Sequence, residues 1–250
     1  VQNNQNLATI ILAAGHGKRM KSDLPKVLHK VGGKTLIEHV VKQAKNIGAD
    51  SIIVVVGYKR DQVIPVVTAA GVDYVVQEEQ LGTGHAVRMT EKSFSDYTGD
   101  ILILSGDVPL LTKETLERVF RYHIEEEAVA TMITAVAPNP TGYGRVLRDK
   151  EGNVSAIREH KDCSTEELQV NEINSGIYYF KAAPMYAALK TIKNNNAQAE
   201  YYLPDVFHQY FAEGKKVSAM TADFNEIHGI NTREDLEEAS QIFESTGLKP

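Results

Sequence analysis

The chain has 250 residues, 42% of them apolar and 24% charged, with a formal net charge of −6. This is an ordinary globular composition, long enough for one large α/β domain or two small ones. The acidic balance argues against a duplex nucleic-acid binder. The single Cys163 excludes an intramolecular disulfide and a Cys-rich zinc site, which fits a reducing, cytoplasmic setting.

Residues 1–6 are polar and read as a disordered lead-in, and the start at Val1 rather than Met is that of a processed or trimmed chain. No run approaches the roughly 18 apolar residues of a membrane span. The first predicted strand is the apolar run ATIILAA at 8–14. A helix comes next, with Leu36, Ile37, Val40, Val41, Ala44 and Ile47 on one face and Thr35 and Glu38 spaced as a capping box. SIIVVV at 51–56, DYVVQ at 73–77 and ILIL at 101–104 are further strands. A helix after them carries Leu116, Val119, Phe120 and Ile124 on one face. Apolar runs this continuous belong to strands buried on both sides, so a parallel sheet covered by helices is expected.

From about Ala130 the pattern changes. Strand-like stretches at 130–136, 145–148, 154–160 and 173–180 are separated by the turn-rich pieces PNPTGYG and DKEGN, as in an antiparallel elaboration. Helices are predicted at 184–193 and 203–213 around the Asn-rich loop at 194–196. A strand at 216–222 and a helix from Thr232 complete the chain. With no Gly/Ser/Pro linker and no internal repeat, one domain with a substrate-side lobe is expected.

The sharpest local feature is Leu12-Ala13-Ala14-Gly15-His16-Gly17-Lys18-Arg19-Met20, with Leu24-Pro25-Lys26 behind it. A strand that ends on small residues and glycines lets backbone N–H groups approach an anion, and the cations then neutralise it. A plain strand-to-helix turn with solvated Lys and Arg is the competing reading. It is not a P-loop, since Leu12 and Arg19 stand where a Gly and a hydroxyl belong. It is not the dinucleotide fingerprint either, because Met20 takes the third glycine's place and no acidic residue ends the second strand. His16, His85 and His160 have no metal-ligand spacing.

This loop resembles the signature of sugar-nucleotide pyrophosphorylases. Further along come Gln77-Glu78-Glu79-Gln80-Leu81-Gly82-Thr83-Gly84-His85-Ala86 and Ser105-Gly106-Asp107-Val108-Pro109. After these stand Thr141-Gly142-Tyr143-Gly144-Arg145, Glu159-His160-Lys161-Asp162, Glu172-Ile173-Asn174-Ser175-Gly176 and Asn194-Asn195-Asn196-Ala197-Gln198. The ordered series, over residues 7–235, is similar to the uridyltransferase half of the bacterial GlmU family. That family joins an N-acetylglucosamine-1-phosphate uridyltransferase to a glucosamine-1-phosphate acetyltransferase.

The resemblance implies a Rossmann-like nucleotide-diphospho-sugar transferase fold: a mixed, mostly parallel sheet covered by helices, with a small antiparallel substrate-side lobe. It implies UTP and N-acetylglucosamine 1-phosphate as substrates, Mg²⁺ as cofactor, and neither nucleic acid nor membrane as partner. The product, UDP-N-acetylglucosamine, would serve cell-wall precursor supply. Arg19 and Lys26 then match the catalytic phosphate contacts, while Asp107 and Asn231 match the metal ligands. Leu12, Ala13, Ala14, Gly15, Gln77, Gly82, Ser105, Gly106 and Asn231 match the nucleotide side, with Gln77 as uracil reader. Thr83, Gly144, Glu159, Asn174 and Tyr202 match the sugar side. On the residues alone Glu159 also reads as a solvated strand end, Asn231 as a helix-start residue and Tyr202 as a core aromatic.

His16, Lys18, Ser105, Ala199 and Pro204 depart from the family's commoner residues, the last two around the sugar side. Nothing after Thr232 has the hexapeptide period of the acetyltransferase half. Residues 7–231 therefore read as the uridyltransferase domain, with 232–250 a helix leading toward an absent left-handed β-helix. Such an isolated domain is expected to be a monomer, whereas full-length family members are trimers. Two other readings stay open: thymidylyl or cytidylyl transfer to another phosphorylated alcohol, and a non-catalytic nucleotide-sugar sensor. The sensor would have lost Arg19, Lys26, Asp107 or Asn231, and all four are present.

Overall fold

The computed structural model describes residues 6–246; residues 1–5, within the predicted lead-in, and 247–250, the end of the predicted helix and link, lie outside them. Eleven strands and eight α-helices are found among the described residues. In chain order they are β1 (Leu7–Ala13), β2 (Lys30–Val31), β3 (Lys34–Thr35), α1 (Leu36–Asn46), β4 (Ser51–Val56), α2 (Arg60–Ala69), β5 (Asp73–Val76), α3 (Thr83–Arg88), β6 (Asp100–Ser105) and α4 (Lys113–Glu125). Then come β7 (Ala130–Val136), β8 (Arg145–Arg148), β9 (Val154–Arg158), β10 (Glu172–Lys181), α5 (Ala182–Leu189), α6 (Asp205–Ala212), β11 (Val217–Thr221), α7 (Phe224–Ile227) and α8 (Arg233–Thr246).

The main sheet has the order β11-β7-β10-β6-β1-β4-β5, with β8 paired to β10 and β9 to β8. β1 runs parallel to β4 and β6, β4 to β5, and β11 to β7. Only β10 and the β8–β9 arm bring antiparallel pairing to this sheet. The mixed, mostly parallel sheet was legible, and the four stretches predicted as an antiparallel elaboration do pair antiparallel, as β7–β10, β10–β8 and β8–β9. β11, predicted only as a strand, adds a parallel pair with β7.

Alternate residues of β1 explain why its sequence is apolar apart from Thr9. Leu7 and Ile11 pack with α1, α2 and α4 on one face, and Ala8 and Ile10 with α3, α5 and α6 on the other. Each fully buried Ile or Leu stabilises the fold by about 1.5–3 kcal/mol. The capping box forms as predicted: Thr35 accepts from the Glu38 N–H, and Glu38 accepts from the Thr35 N–H at 2.7 Å. Ile124 departs from expectation at 47% exposure. Its neighbour His123 takes the buried place instead, hydrogen-bonded to Thr131 Oγ1 (2.8 Å) and Asp100 Oδ1 (3.2 Å). The predicted strand at 154–160 stops at Arg158, and 160–162 is a 3₁₀ turn.

Two short elements prepare the site. β2 and β3 form a hairpin through Gly32-Gly33, and α8 packs on it through Ala239 and Phe243 in a small third core with Met20, Leu110 and Ile230. This brings the segment before α8 back to the end of β6, where the Ile230 N–H donates to the Asp107 carbonyl at 2.9 Å. Among the described residues no helix is long and apolar enough to cross a membrane.

Candidate active site

The carboxyl ends of β1, β5 and β6 and the loops beyond them enclose a cleft of about 530 Å³, where open α/β sheets bind ligands. Its wall is built first from the turn after β1. Gly17 has φ of +58°, and a Cβ there would come 2.6 Å from the Lys26 Cβ, so a glycine lets the loop fold over Lys26. Met20, 1% exposed, pins the turn into the third core. Leu12, Ala13, Ala14, Gly15, Lys26, Gln77, Gly82, Thr83, Ser105 and Asp107 all line the cleft.

Three groups meet beside it. The Lys26 ammonium pairs with the Asp107 carboxylate and donates to Asn231 Oδ1 at 2.9 Å. The Asn231 amide nitrogen donates to the Gly229 carbonyl (2.9 Å), which turns its oxygen to the cation. Asp235 caps this segment by accepting from the N–H groups of Asn231 and Thr232 at 2.8 and 2.9 Å. One carboxylate and one amide oxygen thus converge on a cation, the three groups coming from distant parts of the sequence. Among the described residues no three His, Cys, Asp or Glu side chains gather as a ready metal site.

The remaining predicted residues lie around this centre rather than in the cleft wall. Gly106 continues β6 by donating its N–H to the Leu12 carbonyl (2.9 Å). Asn174 donates its backbone N–H to the Gly144 carbonyl (2.9 Å), and a Cβ on Gly144 would stand 3.3 Å from Glu159 Oε1. These three predicted sugar-side residues are therefore neighbours. A break in the β10–β7 register between Asn174 and Tyr178 brings Gly176 against the Ser105 hydroxyl. Thr83 Oγ1 accepts from the Leu203 N–H at 3.0 Å, tying the loop after β5 to the Tyr202 segment. Tyr202 is 7% exposed, yet it lines a second cleft of about 210 Å³ with Glu159, and its hydroxyl accepts from Gln198 at 2.8 Å. Arg19 is exposed on the 3₁₀ turn Lys18–Met20 and is not part of the cleft wall. Lys18 and His16, which belong to the predicted anion-binding loop and depart from the family pattern, line it, as do Gln80 and Glu200.

The nucleotidyl transferase family profile matches residues 8–245. The chain belongs to that family. It is 47% identical over 236 residues to the bifunctional protein GlmU of Clostridium beijerinckii, and 50% identical over 235 residues to that of an Exiguobacterium species. Each alignment takes in 94% of this chain and 52% of the relative, so the chain spans about half the length of the curated relatives it matches. A UDP-glucose pyrophosphorylase solved with UDP-glucose superposes with a TM-score of 0.76 at 18% identity, covering 96% of this chain and 98% of that one. The nucleotidyl transferase fold is thereby established.

Two features of the nucleotidyl transferase site were not apparent from the residues alone. Arg145 is 1% exposed, and its guanidinium donates to the carbonyls of Pro140 (2.7 Å) and Tyr143 (2.5 Å) while its Nε has no partner. A buried cation held by carbonyls fixes the loop that carries Gly144. Ala199 has φ of +53°, a left-handed conformation that a residue with a Cβ adopts at a cost of roughly 1–2 kcal/mol. A glycine at this position would carry no such cost.

Burial, and then the charges of Asp162, Asp205 and Glu200, raise the Glu159 pKa above its ordinary 4.5. The folded state therefore holds this proton more tightly than the unfolded chain. Glu159 costs no stability below about pH 4.5, where both states are protonated, and costs progressively more as pH rises through its folded value. Glu159→Gln is expected to raise the urea midpoint at neutral pH, and the gain should vanish toward pH 4. An equal gain at both pH values would show that the effect is not ionisation.

Proposed function

We propose that this chain transfers the uridylyl group of UTP to N-acetylglucosamine 1-phosphate, giving UDP-N-acetylglucosamine and pyrophosphate. The observation that carries the reading is the convergence of Asp107 and Asn231 on the Lys26 ammonium, beside a cleft walled by a glycine-rich loop. The likeness to relatives named GlmU supports the choice of substrates.

In this reading the triphosphate lies along the backbone of residues 12–15, with Lys26 and Arg19 offsetting its charge. Gln77 and Gly82 meet the uracil, and Thr83, Gly144, Glu159, Asn174 and Tyr202 hold the sugar and its N-acetyl group. A phosphate monoester has a second pKa of about 6, so the sugar phosphate is mostly dianionic at neutral pH and attacks without a general base. Its oxygen forms a bond to the α-phosphorus of UTP as the bond to the departing pyrophosphate breaks. Positioning and charge neutralisation by the chain's cations are what that step requires.

Asp107 and Asn231 suit Mg²⁺, because an anionic oxygen and a neutral amide oxygen already share one cation and ligand phosphates and waters would complete a hard-ion set. When bound there, Mg²⁺ would neutralise charge growing on the phosphate oxygens. We further propose that residues 7–231 are the uridyltransferase unit and that the segment from 232, helical over Arg233–Thr246, is a link toward a second domain. The chain alone is then a monomer that works in the cytoplasm to supply cell-wall precursors.

The test is pyrophosphate release from UTP and N-acetylglucosamine 1-phosphate, with and without Mg²⁺, with glucose 1-phosphate in parallel. Metal-dependent release that favours the N-acetyl sugar is the expected result. Equal rates with glucose 1-phosphate would overturn the sugar assignment, and no release from either by a folded protein would overturn the reaction.

A further inference from the structure

The side chain of Gln77 is bound in a way that leaves only one of its two ends available to a ligand. Gln77 stands just past β5, its N–H donates to the Val56 carbonyl at 2.8 Å, and it is 3% exposed while lining the cleft. Its amide nitrogen donates to the Gly82 carbonyl at 3.1 Å and lies 3.0 Å from His85 Nδ1. A carbonyl oxygen can only accept, so Gly82 decides which end of the amide is the nitrogen, whatever the tautomer of the histidine. The second amide proton then falls to His85 Nδ1, which must carry a lone pair, leaving the ring proton on Nε2. With both amide protons taken inside the chain, the carbonyl oxygen is what Gln77 has left to offer the cleft.

We propose that His85 is a positioning residue that sets base selectivity, by holding the Gln77 amide so that it presents an acceptor to the pyrimidine edge. This rests on the uridylyl reading above. Uracil carries a donor at N3, which an acceptor satisfies. Cytosine carries a lone pair at N3, which would face the Gln77 oxygen unpaired, and an unpaired polar contact in a closed pocket is what produces discrimination. A histidine with a proton on Nδ1 would oppose the amide N–H and release the clamp. The surroundings guard against that: burial and then the Arg88 charge lower the His85 pKa, against a backbone hydrogen bond at Glu79 and the Glu79 carboxylate, which raise it. Gln80 steadies the same residue from behind, donating to the Gln77 backbone carbonyl at 3.0 Å.

The experiment compares kcat/KM for UTP and CTP, and their Kd values by calorimetry, in the wild type, His85→Leu and His85→Asn. Leucine removes the acceptor at similar volume, whereas asparagine places an oxygen where Nδ1 stood. The UTP-over-CTP ratio is expected to fall about fivefold in His85→Leu, the factor for one net hydrogen bond, and to return within about twofold of wild type in His85→Asn. UTP and CTP falling together, with the ratio unchanged in a cooperatively melting His85→Leu, would overturn the proposal and leave the uridylyl reading standing. A wild type that does not prefer UTP would instead overturn the uridylyl reading, and this proposal with it.

Discussion

Asp107→Ala is expected to lower turnover by more than about tenfold at saturating Mg²⁺, a floor set below the roughly hundredfold or more that losing one preorganised electrostatic group costs at a reacting centre. The carboxylate stands just past β6 with Lys26 on one side and Gly229 close behind it. Alanine removes the carboxylate that meets Asn231 at the shared cation, so a divalent ion would be left with an amide and its substrate oxygens. The fold should survive. Asp107 contributes its backbone carbonyl to Ile230, a bond alanine keeps, and its side chain packs no core. The Lys26 ammonium loses a partner but retains Asn231 at 2.9 Å and is 17% exposed, so it can also turn to water. Pyrophosphate release and a circular-dichroism melt on the same preparation separate the two effects. Near-normal turnover would remove the metal role from Asp107.

The loop proposed to cradle the triphosphate was legible because its residues, 12–15, are contiguous. A strand buried on both faces is apolar along nearly its whole length, Thr9 being β1's one polar residue, so Leu12 to Ala14 mark its end. Gly15 to Lys18 then mark a glycine-rich, cationic turn at that end. The residues proposed for the sugar are different in kind. Gly144, Glu159 and Asn174 come from three separate segments, and what joins them is one backbone bond from Asn174 to Gly144 and the approach of Glu159. No local periodicity encodes such a meeting; only the ordered resemblance pointed to it. The same limit applies to the β2–β3 hairpin, whose two-residue strands carry no alternation. Yet that hairpin, by seating α8, returns Asn231 to Asp107.

His123 and Arg145 show a second limit. Pattern reading assigns buried positions to apolar side chains, so it places Ile124 inward and passes over a histidine and an arginine that are both 1% exposed. Each is buried at the cost of desolvation because partners await it: Thr131 and Asp100 for His123, and the Pro140 and Tyr143 carbonyls for Arg145. Those partners come from other strands or from an irregular loop. Arg19 is the opposite case, a cation expected at the phosphates that is exposed on its turn and outside the cleft wall.

Gly82→Ala should damage both halves of the site at once. Gly82 has φ of +107°, a region that side chains with a Cβ avoid at a cost of about 1–3 kcal/mol. Space is also lacking, since a Cβ there would come 2.6 Å from the Tyr201 carbonyl oxygen and 2.8 Å from its nitrogen. Those atoms are the strap between the two sides: the Tyr201 N–H donates to the Leu81 carbonyl and the Gly84 N–H to the Tyr201 carbonyl, each at 2.8 Å. Neither can shift for the methyl group without moving Tyr202 and the start of α3. The Gly82 carbonyl that orients Gln77 would move with them. A loss of at least about thirtyfold in kcat/KM for UTP is expected, the equivalent of roughly 2 kcal/mol. A lower melting temperature and a raised KM for the sugar phosphate should accompany it. If Gly82→Ala weakened UTP alone and left the sugar KM within about twofold, the strap would not couple the two sides, and Thr83 would have to hold the Leu203 N–H by itself.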